Sequence, residues 1–171
     1  KDTQRFSHNG GGIMLFETGI PTRDQVISRF PQHLTRPKAV IECYENIPCN
    51  PCSTSCPFKA ISIGEDINNK PVLDIDKCTG CGVCVYSCPG LAIMVVEDLG
   101  EKARFKIPYE FLPTPNPGEV WNAVNRSGEI IGEAIIEKVN NLPKQDRTQL
   151  IQLIVRKELL YDFVTIRRKH E

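Results

Sequence analysis

All eight cysteines of this 171-residue chain lie between positions 43 and 88, in two quartets. The second reads Cys78-x2-Cys81-x2-Cys84-x3-Cys88-Pro89, the first Cys43-x5-Cys49-x2-Cys52-x3-Cys56-Pro57. An offset of 32 residues carries Cys81, Cys84, Cys88, Pro89, Ala92 and Ile93 onto Cys49, Cys52, Cys56, Pro57, Ala60 and Ile61. Only the leading cysteine breaks this register, since Cys78 falls on Asn46 and the nearest upstream thiol is Cys43. A C-x2-C-x2-C run lets one loop wrap a metal cluster with three thiolates while its amides face the sulfurs. Each quartet therefore carries the ligand run of an iron–sulfur cluster, and the chemistry implied is electron transfer.

Two other uses of cysteine fit less well. A disulfide framework suits a small secreted chain with scattered cysteines, not thiols crowded into short loops. Structural zinc takes four ligands split between two C-x2-C knuckles, and two four-cysteine runs that each trail C-x3-C-P match it poorly. No catalytic residue is indicated. There is no nucleophile elbow, no phosphate-binding glycine loop and no dinucleotide fingerprint, and Gly10-Gly11-Gly12 follows no strand pattern. His8, His33 and His170 lie away from the quartets without ligand spacing. Gly80, Gly82 and Gly90 allow backbone to come close to a cluster or simply make tight turns. Tyr44, Phe58 and Tyr86 read as packing beside the ligands, not as electron relays.

The run Cys78-Thr-Gly-Cys-Gly-Val-Cys84-Val-Tyr-Ser-Cys88-Pro resembles the bacterial two-cluster [4Fe–4S] ferredoxins. That resemblance covers residues 39–99 and implies two [4Fe–4S] clusters with crossed ligation. Cys78, Cys81, Cys84 and Cys56 would hold one, and Cys49, Cys52, Cys88 and Cys43 the other. The departure is Cys43-Tyr-Glu-Asn-Ile-Pro-Cys49, with five intervening residues in place of two. A wider loop costs only about 0.6 kcal/mol per doubling of length, so Cys43 stays within reach as fourth ligand. The alternative is a bystander Cys43 beside a three-iron cluster.

A second resemblance rests on Glu42-Cys-Tyr-Glu-Asn-Ile-Pro-Cys-Asn-Pro-Cys52, preceded by Gly19-Ile-Pro-Thr22 and Arg29-Phe-Pro31. These stretches are similar to small iron–sulfur subunits that accompany flavin-dependent dehydrogenases of amino acids or related amines. The similarity implies a non-catalytic electron-transfer subunit in a hetero-oligomer, with flavin on a flavoprotein dehydrogenase partner and not on this chain. The competing expectations are a free, diffusible ferredoxin-like carrier and a nucleic-acid protein with structural clusters.

The elements that must position the cysteines give an α+β expectation. A ferredoxin-like, pseudo-twofold two-cluster domain spans 39–99, behind an irregular N-terminal docking arm (1–38) and ahead of a small β-rich module (100–171). Ala39-Val40-Ile41 reads as a strand entering the first loop, and Val72 to Asp76 as one entering the second. After each quartet comes a helical turn and an apolar run, Ala60 to Ile63 and Ala92 to Val96, with a turn at Asn68-Asn69 between. In the arm, Thr22 and Gln25 form a capping box for a helix over Arg23–Phe30, with Val26, Ile27 and Phe30 on its apolar side. Further on, Arg104 to Leu112 reads as a strand and Pro113 to Pro117 as a rigid connector. Val120–Val124 and Glu129–Val139 form a hairpin around Arg126-Ser127-Gly128, and Thr148–Val155 is a further strand.

Composition narrows the partners. Net charge is zero and the isoelectric point near 7.0, so no basic field favours nucleic acid. No stretch reaches the roughly 18–20 apolar residues that span a bilayer. The first residues hold neither an apolar signal core nor a twin-arginine pair, which favours a cytoplasmic location. Residues 43–100 carry seven acids and three bases, and the flanking segments offset them. A shuttle that must find partners quickly gains from a strong field of one sign, and this chain has little.

Overall fold

Alternation builds most of this molecule. Along Lys102–Tyr109, residues Ala103, Phe105, Ile107 and Tyr109 are buried, while Arg104 and Lys106 take the opposite face. The computed structural model describes residues 15–169. Its elements are α1 (Arg23–Ile27), β1 (Lys38–Ile41), α2 (Pro51–Thr54), β2 (Ile61–Ser62), β3 (Val72–Leu73), α3 (Val83–Ser87), β4 (Ile93–Asp98) and β5 (Lys102–Tyr109). There follow β6 (Val120–Asn125), β7 (Ile130–Asn140), β8 (Gln149–Arg156) and β9 (Phe163–Arg167). Seven strands make one antiparallel sheet in the order β1-β4-β5-β8-β7-β6-β9, and β2-β3 form a separate ribbon.

The sheet does not stop where the sequence reading places a module boundary. Residues 99 and 100 lie in the turn of the β4–β5 hairpin, whose strands pair from Val95–Lys106 to Asp98–Ala103. β1 and β4 are covered on both faces. Ala39, Ile41, Ile93 and Val95 point into a core shared with the cysteines, while Val40, Met94 and Val96 point into the larger sheet core. Double burial is why both strands read as unbroken apolar runs. The sheet curls until β9 comes over β5, where the Phe163 and Phe105 rings meet edge-on at 4.7 Å.

The arm closes one side of that core with Val26, Phe30 and Leu34. Thr22 accepts the Gln25 N–H and Gln25 returns a bond to the Thr22 N–H, forming the capping box. The helix ends at Ile27, three residues short of the expected limit, and Ile27 itself is exposed. The expected hairpin is β6–β7, and the Thr148–Val155 strand is β8. β9 has no counterpart among the sequence expectations. Gly10-Gly11-Gly12, His8 and His170 lie outside the described residues.

Candidate functional site

The 32-residue offset is written in the backbone as well as in the residue types. β1 pairs with β4 so that Ile41 faces Ile93 and Val40 faces Met94. Shifting one partner forward and the other back by the offset gives Leu73 facing Ile61 and Val72 facing Ser62, which is the observed β2–β3 register. Hydrogen bonds follow the same rule. The Glu42 N–H donates to the Ala92 carbonyl at 2.8 Å, and the Asp74 N–H donates to that of Ala60 at 2.8 Å. The Ala92 N–H reaches Cys88 Sγ at 3.4 Å, and the Ala60 N–H reaches Cys56 Sγ at 3.3 Å. The sequences β1-α2-β2 and β3-α3-β4 are thus two copies of one unit, with α2 and α3 in contact.

The eight thiols are free and gather into two groups. The thiols acting on Cys84 are Cys81, Cys78, Cys56 and, least, Cys52. Those acting on Cys52 are Cys88, Cys49 and Cys43, and those acting on Cys43 are Cys88 and Cys49. Cys56 lies with Cys78, Cys81 and Cys84 around one cavity, and Cys88 acts on Cys43 and Cys52, so each group includes a cysteine from the other copy of the repeat. Burial, then the neighbouring thiols, pushes Cys84 up to about 12 and Cys52 to about 11, and raises Cys43 for the same reasons. Without metal these groups hold their protons, so metal binding must release them.

Cys56, Cys78, Cys81 and Cys84 surround a small cavity completed by Ala39, Ala60, Ile61, Leu73 and Val95. Among the described residues no three His, Cys, Asp or Glu side chains converge on a single ion. Thiols spread around a cavity suit a multi-atom cluster better than one zinc. The N–H groups of Ala39, Ala60 and Ala92 aim at Cys78, Cys56 and Cys88 Sγ, which favours the thiolate form that binds iron. The residues present fit iron–sulfur binding. Cys81 is exposed and marks the solvent edge of its group.

The sheet grips the second loop closely. Lys38 Nζ donates to the Cys78 carbonyl at 2.7 Å and to that of Ile75 at 2.6 Å, and Lys106 Nζ donates to the Gly80 carbonyl at 2.7 Å. A Cβ on Gly80 (φ +66°) would lie 2.5 Å from the Pro37 carbonyl oxygen, and one on Gly82 (φ +92°) 2.8 Å from Leu150 Cδ2. These two glycines are required by close approach, whereas Gly90 faces open space. Neither lysine was among the sequence candidates. Lys106 occupies the polar face of an alternating strand, where nothing in the sequence separates a ligand-loop clasp from a solvated charge.

The first loop is held by an ion pair. Arg126, from the β6–β7 turn, makes a bidentate contact with the Glu42 carboxylate, its Nε at 2.7 Å, and donates to the Tyr161 carbonyl at 2.8 Å. Both side chains are nearly buried, at 11% and 9% exposure. Tyr44 lies beside Glu42 under the Arg29 guanidinium, 5.3 Å from the ring centre. Burial, then the Glu42 charge, raises its phenol above the ordinary tyrosine range. Of the other flanking aromatics, Tyr86 is half-buried, but Phe58 is 46% exposed at the edge of the cavity lined by Cys56, Cys78, Cys81 and Cys84, and fills no core. His33 is exposed.

Comparison with known proteins adds one family. Residues 47–109 match the 4Fe-4S dicluster domain, a span that takes in the cysteines from Cys49 to Cys88, omits Cys43 and ends with β5. No curated protein and no solved structure matches the chain. A bound iron–sulfur cluster supplies one-electron transfer. No helix among the described residues is long and apolar enough to cross a membrane. The matched span and the eight cysteines support a ferredoxin-type iron–sulfur domain at residues 47–109, which suggests an iron–sulfur electron carrier.

Proposed function

We propose that this chain is the electron-transfer subunit of a flavoprotein oxidoreductase, relaying electrons through two [4Fe–4S] clusters to an acceptor. Cys56, Cys78, Cys81 and Cys84 hold one cluster, and Cys43, Cys49, Cys52 and Cys88 the other. The observation that carries the reading is an open apolar groove of about 890 Å³ beside the Cys43 group. Tyr44 and Ala92 line it from the cysteine side, Val124 and Ile166 from the sheet, and Phe111 and Leu112 from the segment after β5. Phe111 and Leu112 are 68% and 88% exposed, which is apolar surface that a permanent partner would cover. The near-neutral chain also lacks the field that speeds a diffusing shuttle.

Mild purification from the native source, with identification of the chains and flavin that travel with it, tests the proposal. A flavoprotein should co-elute and reduce the clusters when given its substrate. A chain that elutes alone and exchanges electrons by diffusion would make it a free carrier instead.

A further inference from the structure

The two cysteine groups are built on one repeated frame, so the places where the frame differs can be read directly. The Ala39 N–H donates to Cys78 Sγ at 3.4 Å. Its counterpart 32 residues on is Pro71, which has no N–H to give. Lys38 holds the carbonyls of Ile75 and Cys78. Its counterpart is Lys70, which is exposed and makes no hydrogen bond among the described residues. Lys106 holds Gly80 from β5, outside the repeat, and so has no counterpart at all.

All three differences favour one group, whereas in the other the Ser53 N–H bonds Cys52 and the Arg29 and Lys70 charges act on Cys43. Hydrogen bonds to ligand sulfur, and positive charge close to it, favour the state that carries an extra electron, and so raise the reduction potential. Neither ammonium is neutralised by a carboxylate among the described residues. Arg104, two positions before Lys106 on the same face, shows the contrast, being flanked by Glu97 at 2.7 Å and Glu137 at 2.8 Å. The cations facing the Cys43 group act on it without a hydrogen bond to a carbonyl of its loop among the described residues. Arg126 is cancelled by Glu42, Arg29 is stacked on Tyr44 and not bonded to the ligand loop, and Lys70 is screened by water.

We infer that Lys38 and Lys106 make the centre held by Cys56, Cys78, Cys81 and Cys84 the higher-potential one, so that electrons come to rest there. The sheet then has a redox role through Lys106. The inference rests on the two-cluster reading and is independent of the flavoprotein partner.

Anaerobic redox titration of the full chain, followed by EPR, reads both midpoints. Cys43→Ala removes a ligand from the other centre and so assigns the signals. Lys106→Met should lower the higher midpoint and leave the lower one in place, while Lys106→Arg, which keeps the charge, should stay near wild type. Lys38→Met should lower the same midpoint, and carries the test alone if Lys106→Met fails to load iron. Lys70→Met should move neither as far. A higher midpoint unmoved by the lysine changes, equal movement of both, or a higher midpoint assigned to the Cys43 side would overturn the inference. Iron for only one cluster in the wild-type chain would instead defeat the two-cluster reading.

Discussion

Glu42 immediately precedes Cys43, and its carboxylate is taken almost out of water by a guanidinium 84 positions away in the chain. Removing one partner of such a pair leaves a buried charge uncompensated, which costs about 3–5 kcal/mol. Arg126→Leu should therefore lower stability by about that amount, read as a shift in the unfolding transition. The double change with Glu42→Leu should recover part of the loss, because no charge is then stranded. If the double variant proves no more stable than the single one, the pair is not what holds this corner. At this scale the cysteine groups were legible and their supports were not. Cysteine spacing is local, so Cys49 to Cys88 could be read directly. The partner of Glu42, and the lysines on Cys78 and Gly80, are fixed only by how the sheet curls. Cys43 lies between the two cases, since its spacing departs from the repeat but its neighbours in space are Cys88 and Cys49.

Elements were legible where period and turn chemistry agreed. The strand expected over Arg104–Leu112 alternates cleanly as Lys102–Tyr109, the β6–β7 hairpin pairs despite a bulge at Ala123/Val124, and the Thr22–Gln25 box marks where α1 begins. Its end at Ile27 falls short of Phe30, whose ring packs on Tyr161 with 4.9 Å between centres. β9 was missed because its five residues stand near the chain end with no partner strand adjacent in sequence. The start of β6 offers a pH test. The Glu119 carboxylate accepts from Asn116 and from Trp121 Nε1 at 2.8 Å, and these bonds, Asn116 first, lower its pKa to about 2. A depressed carboxyl stabilises the fold above its unfolded value of about 4.5, and that contribution is lost as pH falls towards about 2. Glu119→Gln should accordingly melt below wild type near neutrality, with the gap in Tm closing in that acid window. Trp121 is the sole tryptophan, so its fluorescence follows both melts. A gap independent of pH would mean the carboxylate charge is not what those donors recognise.

Across the whole molecule, the cysteine unit and the sheet share strands β1 and β4, at one edge of the sheet, and do not sit side by side. Cutting the chain after Leu99 would strip cover from Val40, Met94 and Val96, which are at most 4% exposed in the intact fold. At about 1.5–3 kcal/mol for each large apolar side chain, that exposure forfeits roughly 5–9 kcal/mol. The amount is comparable with the whole stability of an ordinary domain, about 5–15 kcal/mol. The cut also removes Lys106 and Leu150 from the second loop and Arg126 from the first. A chain ending at Leu99 should therefore hold far less iron than the full chain after identical reconstitution, and its amide protons should exchange quickly throughout. Iron content and a visible spectrum equal to those of the full chain would show the opposite, that the cysteine unit folds alone and the sheet is an attachment. The family match favours the first outcome, because it runs past Leu99 to Tyr109 and so includes β5, the strand that covers β4 and carries Lys106.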